Sequence, residues 1–195
     1  MSAITFHTDT AFARGLRELF GGLEKRLALR QPLTAYLAGG MAVHLYTGKR
    51  VTNDVDAEFS ARVLIPGDLM AEVIDDGGDP QLLYFDTQYN PMFALLHEDY
   101  QQDAIDVALG LEHIRLRVLS PVDLALSKVA RFAPNDREDI QDLVRLGLTS
   151  ADAIQARGSE ALAGYIGNTS MVGLNLRDAV ALARAVGKSH TRDGR

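Results

Sequence analysis

Apolar residues recur at helical spacing near the start of the chain. Phe12, Leu16, Leu19, Leu23 and Leu27 fall three or four apart, which predicts an amphipathic helix over about residues 10–29. Gly21-Gly22 interrupts its middle, and each glycine there costs ~1 kcal/mol relative to alanine. The pattern then changes. Leu33–Ala38 is a short apolar run between Pro32 and a glycine pair, which predicts a buried strand. Gly40–Tyr46 predicts a short helix. Val55–Phe59 alternates apolar and acidic residues, the period of a half-buried strand. Asp68–Ile74 predicts a helix that ends at Asp75-Asp76-Gly77-Gly78-Asp79-Pro80, the clearest turn signal in the chain. Leu82–Phe85, Met92–Leu96, Ala104–Leu109 and Ile114–Val118 read as four further strands.

The texture changes again at Ser120-Pro121. Serine is a good N-cap and proline suits the first helical position, so a helix is expected to begin there. Residues 121–132, 135–146, 150–157, 159–166 and 175–187 all carry helical patterns. The polar tail Lys188–Arg195 is expected to fray. The order is a helix, a mixed segment with about six strands, then helices. It lacks the regular βαβα alternation of a doubly wound sheet, so the expected class is α+β, a mixed sheet flanked by helices. The expected division is residues 1–120, an α/β core with its N-terminal helix, and residues 121–195, a helical region.

Composition narrows the function classes. The 195 residues are 47% hydrophobic and 24% charged, ordinary values for a globular chain. No apolar run approaches the ~20 residues of a membrane span, and the first residues lack the order of a secretory signal. The expected setting is the cytoplasm, with no membrane partner. Cysteine is absent, which excludes disulfides and thiolate zinc sites. The net charge of −6 conceals an uneven distribution. Residues 54–110 hold one Lys or Arg against 13 acids, a net −12, while the segments on either side carry +4 and +2. Such a block repels a nucleic-acid backbone unless cations sit within it.

Some of those acids are spaced for chemistry. Asp54 and Asp56 are two residues apart in a predicted strand and so share a face. Carboxylates that close repel unless a cation neutralises them. Magnesium is well suited, since it binds through a few carboxylates plus substrate phosphates. Sites with two metals hold the ions ~3.5–4 Å apart and need a further acid. Asp106, alone inside the apolar run Ala104–Leu109, is the candidate, with Asp103 competing from the edge. Pairing of Asp106 with Arg115 or Arg117 is the plainer alternative. Gly39-Gly40 fits the same scheme, because a glycine turn into a helix lets backbone N–H groups approach phosphate oxygens. Tyr84, Phe85, Tyr89 and Phe93 could stack a base, but core packing is the simpler reading. His44, among apolar neighbours, reads as packing.

Gly39-Gly40, a spacer, Asp54-x-Asp56 and a later strand acid together resemble the DNA polymerase β-like nucleotidyltransferase superfamily. Arg50-Val51-Thr52-Asn53-Asp54-Val55-Asp56 is similar to the Arg-x-Thr-x-Asp-x-Asp form of bacterial abortive-infection and toxin–antitoxin nucleotidyltransferases. Lys128, followed by Asp136-Arg137-Glu138-Asp139, resembles the downstream Lys and Asp-x-x-Asp helices of that group. The likeness spans about residues 33–146. Gly40 stands where many members carry serine.

The resemblance implies an enzyme moving a nucleoside monophosphate from an NTP to a hydroxyl. Two Mg²⁺ ions, or Mn²⁺ in their place, would sit on Asp54, Asp56 and Asp106, the last also activating the acceptor. Gly39 and Gly40 would cradle the triphosphate, with Arg50 and Thr52 on the nucleotide side or in a structural role. Lys128 would neutralise phosphate charge; an exposed helix lysine, or one paired with Asp123 or Asp139, is the plainer alternative. Asp136 and Asp139 would lie near the nucleotide, or orient Lys128 or Arg137. The implied acceptors are a tRNA 3′ end, a protein side chain or a small molecule, and the implied partner is a cognate antitoxin protein. The alternatives are a non-catalytic module that binds a nucleotide or partner, and a phosphohydrolase.

Overall fold

The computed structural model describes residues 4–75 and 77–192. Of the expected turn, Asp76 lies outside the described residues, as do the last residues of the tail, 193–195. The chain divides into two units. One comprises the residues up to Tyr89 together with Ala104–Val118, and the other Asn90–Asp103 together with the residues from Leu119 onward. The architecture is α+β, with mixed sheets in the first unit and helices in the second. No described helix is long and apolar enough to cross a membrane.

The first unit opens with α1 (Ala11–Leu27), whose N-terminus is capped by Thr10 accepting from the Ala13 N–H. The helix runs unbroken through Gly21-Gly22, because its apolar face is fully engaged and packing outweighs propensity. Four strands follow around a second helix: β1 (Leu33–Leu37), α2 (Gly39–Thr47), β2 (Asp54–Val55), β3 (Ala57–Phe59) and β4 (Met70–Ile74). Then come β5 (Pro80–Phe85), β6 (Ile105–Asp106) and β7 (Ile114–Val118). They form two sheets, one in the order β3-β1-β7-β6 and one in the order β2-β5-β4. β1 runs parallel to β7 and antiparallel to β3, and β6 is antiparallel to β7.

The segment expected as one strand over Val55–Phe59 is split between the sheets. β2 pairs with β5, and β3 pairs with β1, so the chain changes sheet at Asp56. The helix expected over Asp68–Ile74 is instead strand β4. Its residues alternate with period two, Ala71 and Val73 inward and Met70, Glu72 and Ile74 outward. Pairing with β5 overrides the local helical preference of Met, Ala and Glu. α1 covers the inner face of this hairpin so closely that a Cβ added to Gly15 would lie 2.2 Å from Val73 Cγ2. Phe20 of α1, Phe59 and Phe85 form an aromatic cluster there, with Phe20 and Phe85 edge to face at 5.0 Å. At the other end of α1, the Glu24 carboxylate accepts from the His113 and Ile114 N–H groups and fastens the helix to the start of β7.

In the second unit the strand expected over Met92–Leu96 is a 3-10 turn, Pro91–Phe93, because Pro91 lacks a ladder donor and Asn90 caps the turn. The one-turn α3 (Tyr100–Asp103) follows, and the strand expected over Ala104–Leu109, which returns to the first unit, shrinks to the two residues of β6. The helices are α4 (Pro121–Ser127), α5 (Pro134–Arg145), α6 (Ala151–Gly164) and α7 (Thr169–Arg192). Ser120 caps α4 as expected. α6 joins two expected helices into one. Gly158 within it permits close packing, since a Cβ there would meet Leu176 Cδ1 at 2.6 Å.

The aromatic cluster generates a prediction. Phe20→Ala removes a fully buried ring, and should lower the unfolding free energy by ~3–5 kcal/mol. Urea unfolding followed by circular dichroism measures the change.

Candidate active site

The glycine pair and the Asp-x-Asp pair meet in the first unit. β1 ends at Leu37, and Gly39, at φ +63°, turns the chain into α2. The Ala38 N–H donates to the Asp56 carbonyl at 2.9 Å, which extends the β1–β3 ladder to the point where the chain changes sheet. That bond brings the Asp56 side chain onto the turn. A Cβ added to Gly39 would lie 1.7 Å from Asp56 Oδ2, so the carboxylate fills the space a side chain would take. Gly40 is confined less severely, since its Cβ would stand 3.0 Å from both Cβ and Oγ1 of Thr52. The Thr52 hydroxyl donates to Asp54 Oδ1 at 2.5 Å and sets the first aspartate.

Asp54 is exposed, Val55 fully buried and Asp56 half-buried, so the two acids flank an anchored core residue and face away from it. Asp56 lies at the N-terminal end of α2, where unsatisfied backbone N–H groups and the dipole favour negative charge, and Asp54 is linked to it through Thr52 beside Gly40. The loop leading to them is tied down by His44, a residue expected only to pack. Its Nδ1 lies 2.7 Å from the Arg50 carbonyl oxygen and its Nε2 2.8 Å from Thr10 Oγ1. A carbonyl can only accept, so Nδ1 carries a proton, and in the neutral ring Nε2 then accepts from the Thr10 hydroxyl. Arg50 itself donates to the Val51 carbonyl. His44 thus positions the segment carrying Thr52 and Asp54. A histidine next to the last turn of a short helix is the only sequence signal for this, and many packed histidines share it.

Asp106 requires a correction. It was expected on the strand beside Asp54 and Asp56, but β6 lies at the far edge of the β3-β1-β7-β6 sheet. Three strand spacings, ~14 Å, separate it from β3. Tyr36 and Arg117 occupy the row between, in register with Glu58 on one side and Asp106 on the other. Asp106 therefore does not stand on a strand next to the Asp54–Asp56 pair. Asp106 is also engaged: Arg115 donates to both its oxygens at 2.7 and 2.6 Å, and Arg117 Nε lies 3.6 Å away. The Arg115 hydrogen bonds hold its pKa below the usual carboxylate range. Among the described residues no three acids or histidines gather into a group able to hold a metal ion.

Lys128, Asp136 and Asp139 belong to the second unit, where all three are buried. The Lys128 ammonium lies 2.9 Å from Asp139 Oδ2 and 4.0 Å from Asp136 Oδ1. Asp136 also accepts both Arg131 nitrogens, at 2.8 and 2.7 Å, and the Ala133 N–H at the start of α5. Two carboxylates thus stand against the Lys128 ammonium. The expectation that Asp136 or Asp139 orients Lys128 matches these distances more closely than direct contact with a nucleotide, which their burial opposes. Of the possible stacking aromatics, Phe85 is buried, while Tyr84 is exposed beside Asp54, its register partner.

The fold and the site define a class: an α+β protein in which a Gly-Gly turn into a helix is pressed against an Asp-x-Asp pair. Residues 15–171 match the family described as nucleotidyltransferase of unknown function (DUF6036), and the chain belongs to that nucleotidyltransferase family. Among solved structures, the chain is similar to an antigenic nucleotidyltransferase-like protein from Paracoccidioides brasiliensis. The identity is 16% over 90% of this chain and 95% of that one, with a TM-score of 0.41. No curated protein matches the chain.

Two predictions follow from these contacts. Gly39→Ala must both adopt a positive φ and displace the Asp56 carboxylate, and should cost ~1–3 kcal/mol in urea unfolding. Gly67→Ala, with open space around it, should be close to neutral. The second concerns acid. Burial alone would raise the pKa of Asp136, but the Arg131 and Ala133 hydrogen bonds and the nearby Lys128 charge outweigh it and leave the group below its ordinary value. Its stabilising effect is therefore complete above the unfolded pKa of ~3.9 and is lost as pH falls through the lower folded value. Melting temperatures of Asp136→Asn should fall less steeply than those of the native chain between about pH 4 and pH 2.

Proposed function

We propose that the protein transfers a nucleoside monophosphate from an NTP to a hydroxyl acceptor and releases pyrophosphate. The observation that carries this reading is the seat of the Asp56 carboxylate on Gly39, with Asp54 two residues before it and held by Thr52. Gly39-Gly40 would seat the triphosphate against the start of α2, where backbone N–H groups suit anionic oxygens. Asp54 and Asp56 present hard oxygen donors, which fit one Mg²⁺ or Mn²⁺ ion whose other ligands are phosphate oxygens and water. A second ion would have to do without Asp106, which Arg115 holds. When bound, the ion would neutralise charge on the transferring phosphoryl group. Thr52 and His44 keep the acid-bearing segment in place, which is a positioning task. In the transfer, the acceptor oxygen bonds to the α-phosphorus, the bond to the pyrophosphate oxygen breaks, and the hydroxyl proton leaves to solvent.

For the acceptor we propose a tRNA 3′ end or a protein side chain, and for the setting a toxin held in check by an antitoxin protein. Both rest on the likeness of Arg50–Asp56 to the bacterial Arg-x-Thr-x-Asp-x-Asp form. A second reading is favoured by the engagement of Asp106: a module that binds NTP without turnover.

Incubation with α-labelled NTPs, Mg²⁺ and either total tRNA or lysate protein separates the two. The enzyme reading expects label on one acceptor and at least a 100-fold loss in Asp54→Ala and in Asp56→Ala. Absence of label with every NTP, or transfer undiminished in both variants, would sink it. Calorimetric NTP binding without label would leave the binding-module reading standing.

A further inference from the structure

We propose that β4 is the docking edge for a β-strand of a basic partner protein, which would extend the β2-β5-β4 sheet. The proposal stands apart from the catalytic reading. β4 is the outermost strand of its sheet. The Asp75 N–H donates to the Asp79 carbonyl, so residues 75 and 79 form a hydrogen-bonded pair of the antiparallel ladder. By alternation, Ala71 and Val73 direct their backbone groups to β5, while Met70, Glu72 and Ile74 direct theirs to the open edge. Edge strands are ordinarily blunted by lysine, proline or a bulge. Met-Ala-Glu-Val-Ile contains no lysine or proline and pairs with β5 in unbroken register.

The outward face beside that edge is apolar. Met70, Ile74, Leu82 and Tyr84 are each close to half exposed, at 50%, 53%, 49% and 45%. They adjoin one another across the hairpin, Met70 opposite Tyr84 and Glu72 opposite Leu82. An apolar face next to unpaired strand groups is the arrangement by which extended segments are captured, the main chain giving affinity and alternate side chains giving specificity.

Charge selects the occupant. Residues 63–89 contain no Lys or Arg and six acids, with Glu72 in the middle of the edge. A second copy pairing antiparallel about the strand centre would place Glu72 against Glu72, which is unfavourable. A partner strand with a basic residue between two apolar ones on its outward face would meet Met70, Glu72 and Ile74 in turn.

The test uses the full chain and a blocked peptide of sequence Lys-Val-Thr-Lys-Thr-Val-Lys, whose pattern reads alike in both directions. The expected result is saturable binding that weakens with salt, with exchange of the Met70, Glu72 and Ile74 amides slowed at least tenfold. Glu72→Arg, an exposed change, should weaken binding at least tenfold. A peptide N-methylated at alternate residues should not bind. No binding at millimolar peptide, equal binding of the N-methylated peptide, or binding without protection of those three amides would each overturn the proposal. A dimer of the free chain with the three amides already slow in exchange would overturn it too, by assigning the edge to a second copy.

Discussion

The close approach of the Asp56 carboxylate to Gly39 is the constraint around which the first unit is arranged. It requires a residue without a Cβ, at a positive φ, at the foot of α2. It also requires the chain to change sheet at Asp56, so that the main chain joins β1 while the side chain covers the turn. Strand pairing with β5 on one side and β1 on the other fixes both conditions. The segment bearing Thr52 and Asp54 is held independently, through the His44 link between the cap of α1 and the Arg50 carbonyl. A site assembled in this way depends on the register of two sheets, the cap of one helix and a loop that His44 ties down. Placing the polar side chains of a site on rigid elements is what precise geometry needs.

The second unit solves a different problem. It buries Lys128, Asp136 and Asp139 together, where each charge alone would carry a heavy desolvation cost. Pairing at 2.9 Å, the two Arg131 contacts and a backbone N–H donor distribute that cost over several hydrogen bonds. A second such group joins Asp123, Asp103 and Arg157, with Asp123 completely buried and Arg157 donating to both acids. Those bonds raise the Arg157 pKa further, so the guanidinium stays charged throughout. These networks fix α4, α5 and α6 in definite positions, because a shift of one helix would leave a buried charge unpaired.

Much of the fold was legible from periodicity. β7 was expected at Ile114–Val118 and lies there, and α1, α2 and α5 differ from expectation by a residue or two at their ends. The signals were local: apolar spacing, a serine cap, glycine after a short run. β4 was misread as a helix because Met, Ala and Glu favour helices, and only the β5 partner reveals the period of two. The strand expected around Phe93 failed because Pro91 and Asn90 form a turn, and the predicted break at Gly158 failed because neighbouring leucines close over it.

For the site, the chain alone determined the chemistry on offer. Gly39-Gly40, Thr52, Asp54 and Asp56 are close in sequence, so their spacing carries their association, and the resemblance to nucleotidyltransferases rested on that stretch. Tertiary structure decided the rest. Asp106 is fifty residues further on, and its pairing with Arg115, the plainer of the two readings, is what the fold shows, but nothing in an apolar run with one acid says which sheet edge it will occupy. Lys128 read either as a cation for phosphate or as a partner of Asp123 or Asp139, and helix packing decided which carboxylates stand against it, Asp139 and Asp136. Short-range geometry follows from backbone sterics and residue spacing, which a sequence states directly. Long-range pairing depends on register and on competition among many possible partners, which are settled only when the elements pack.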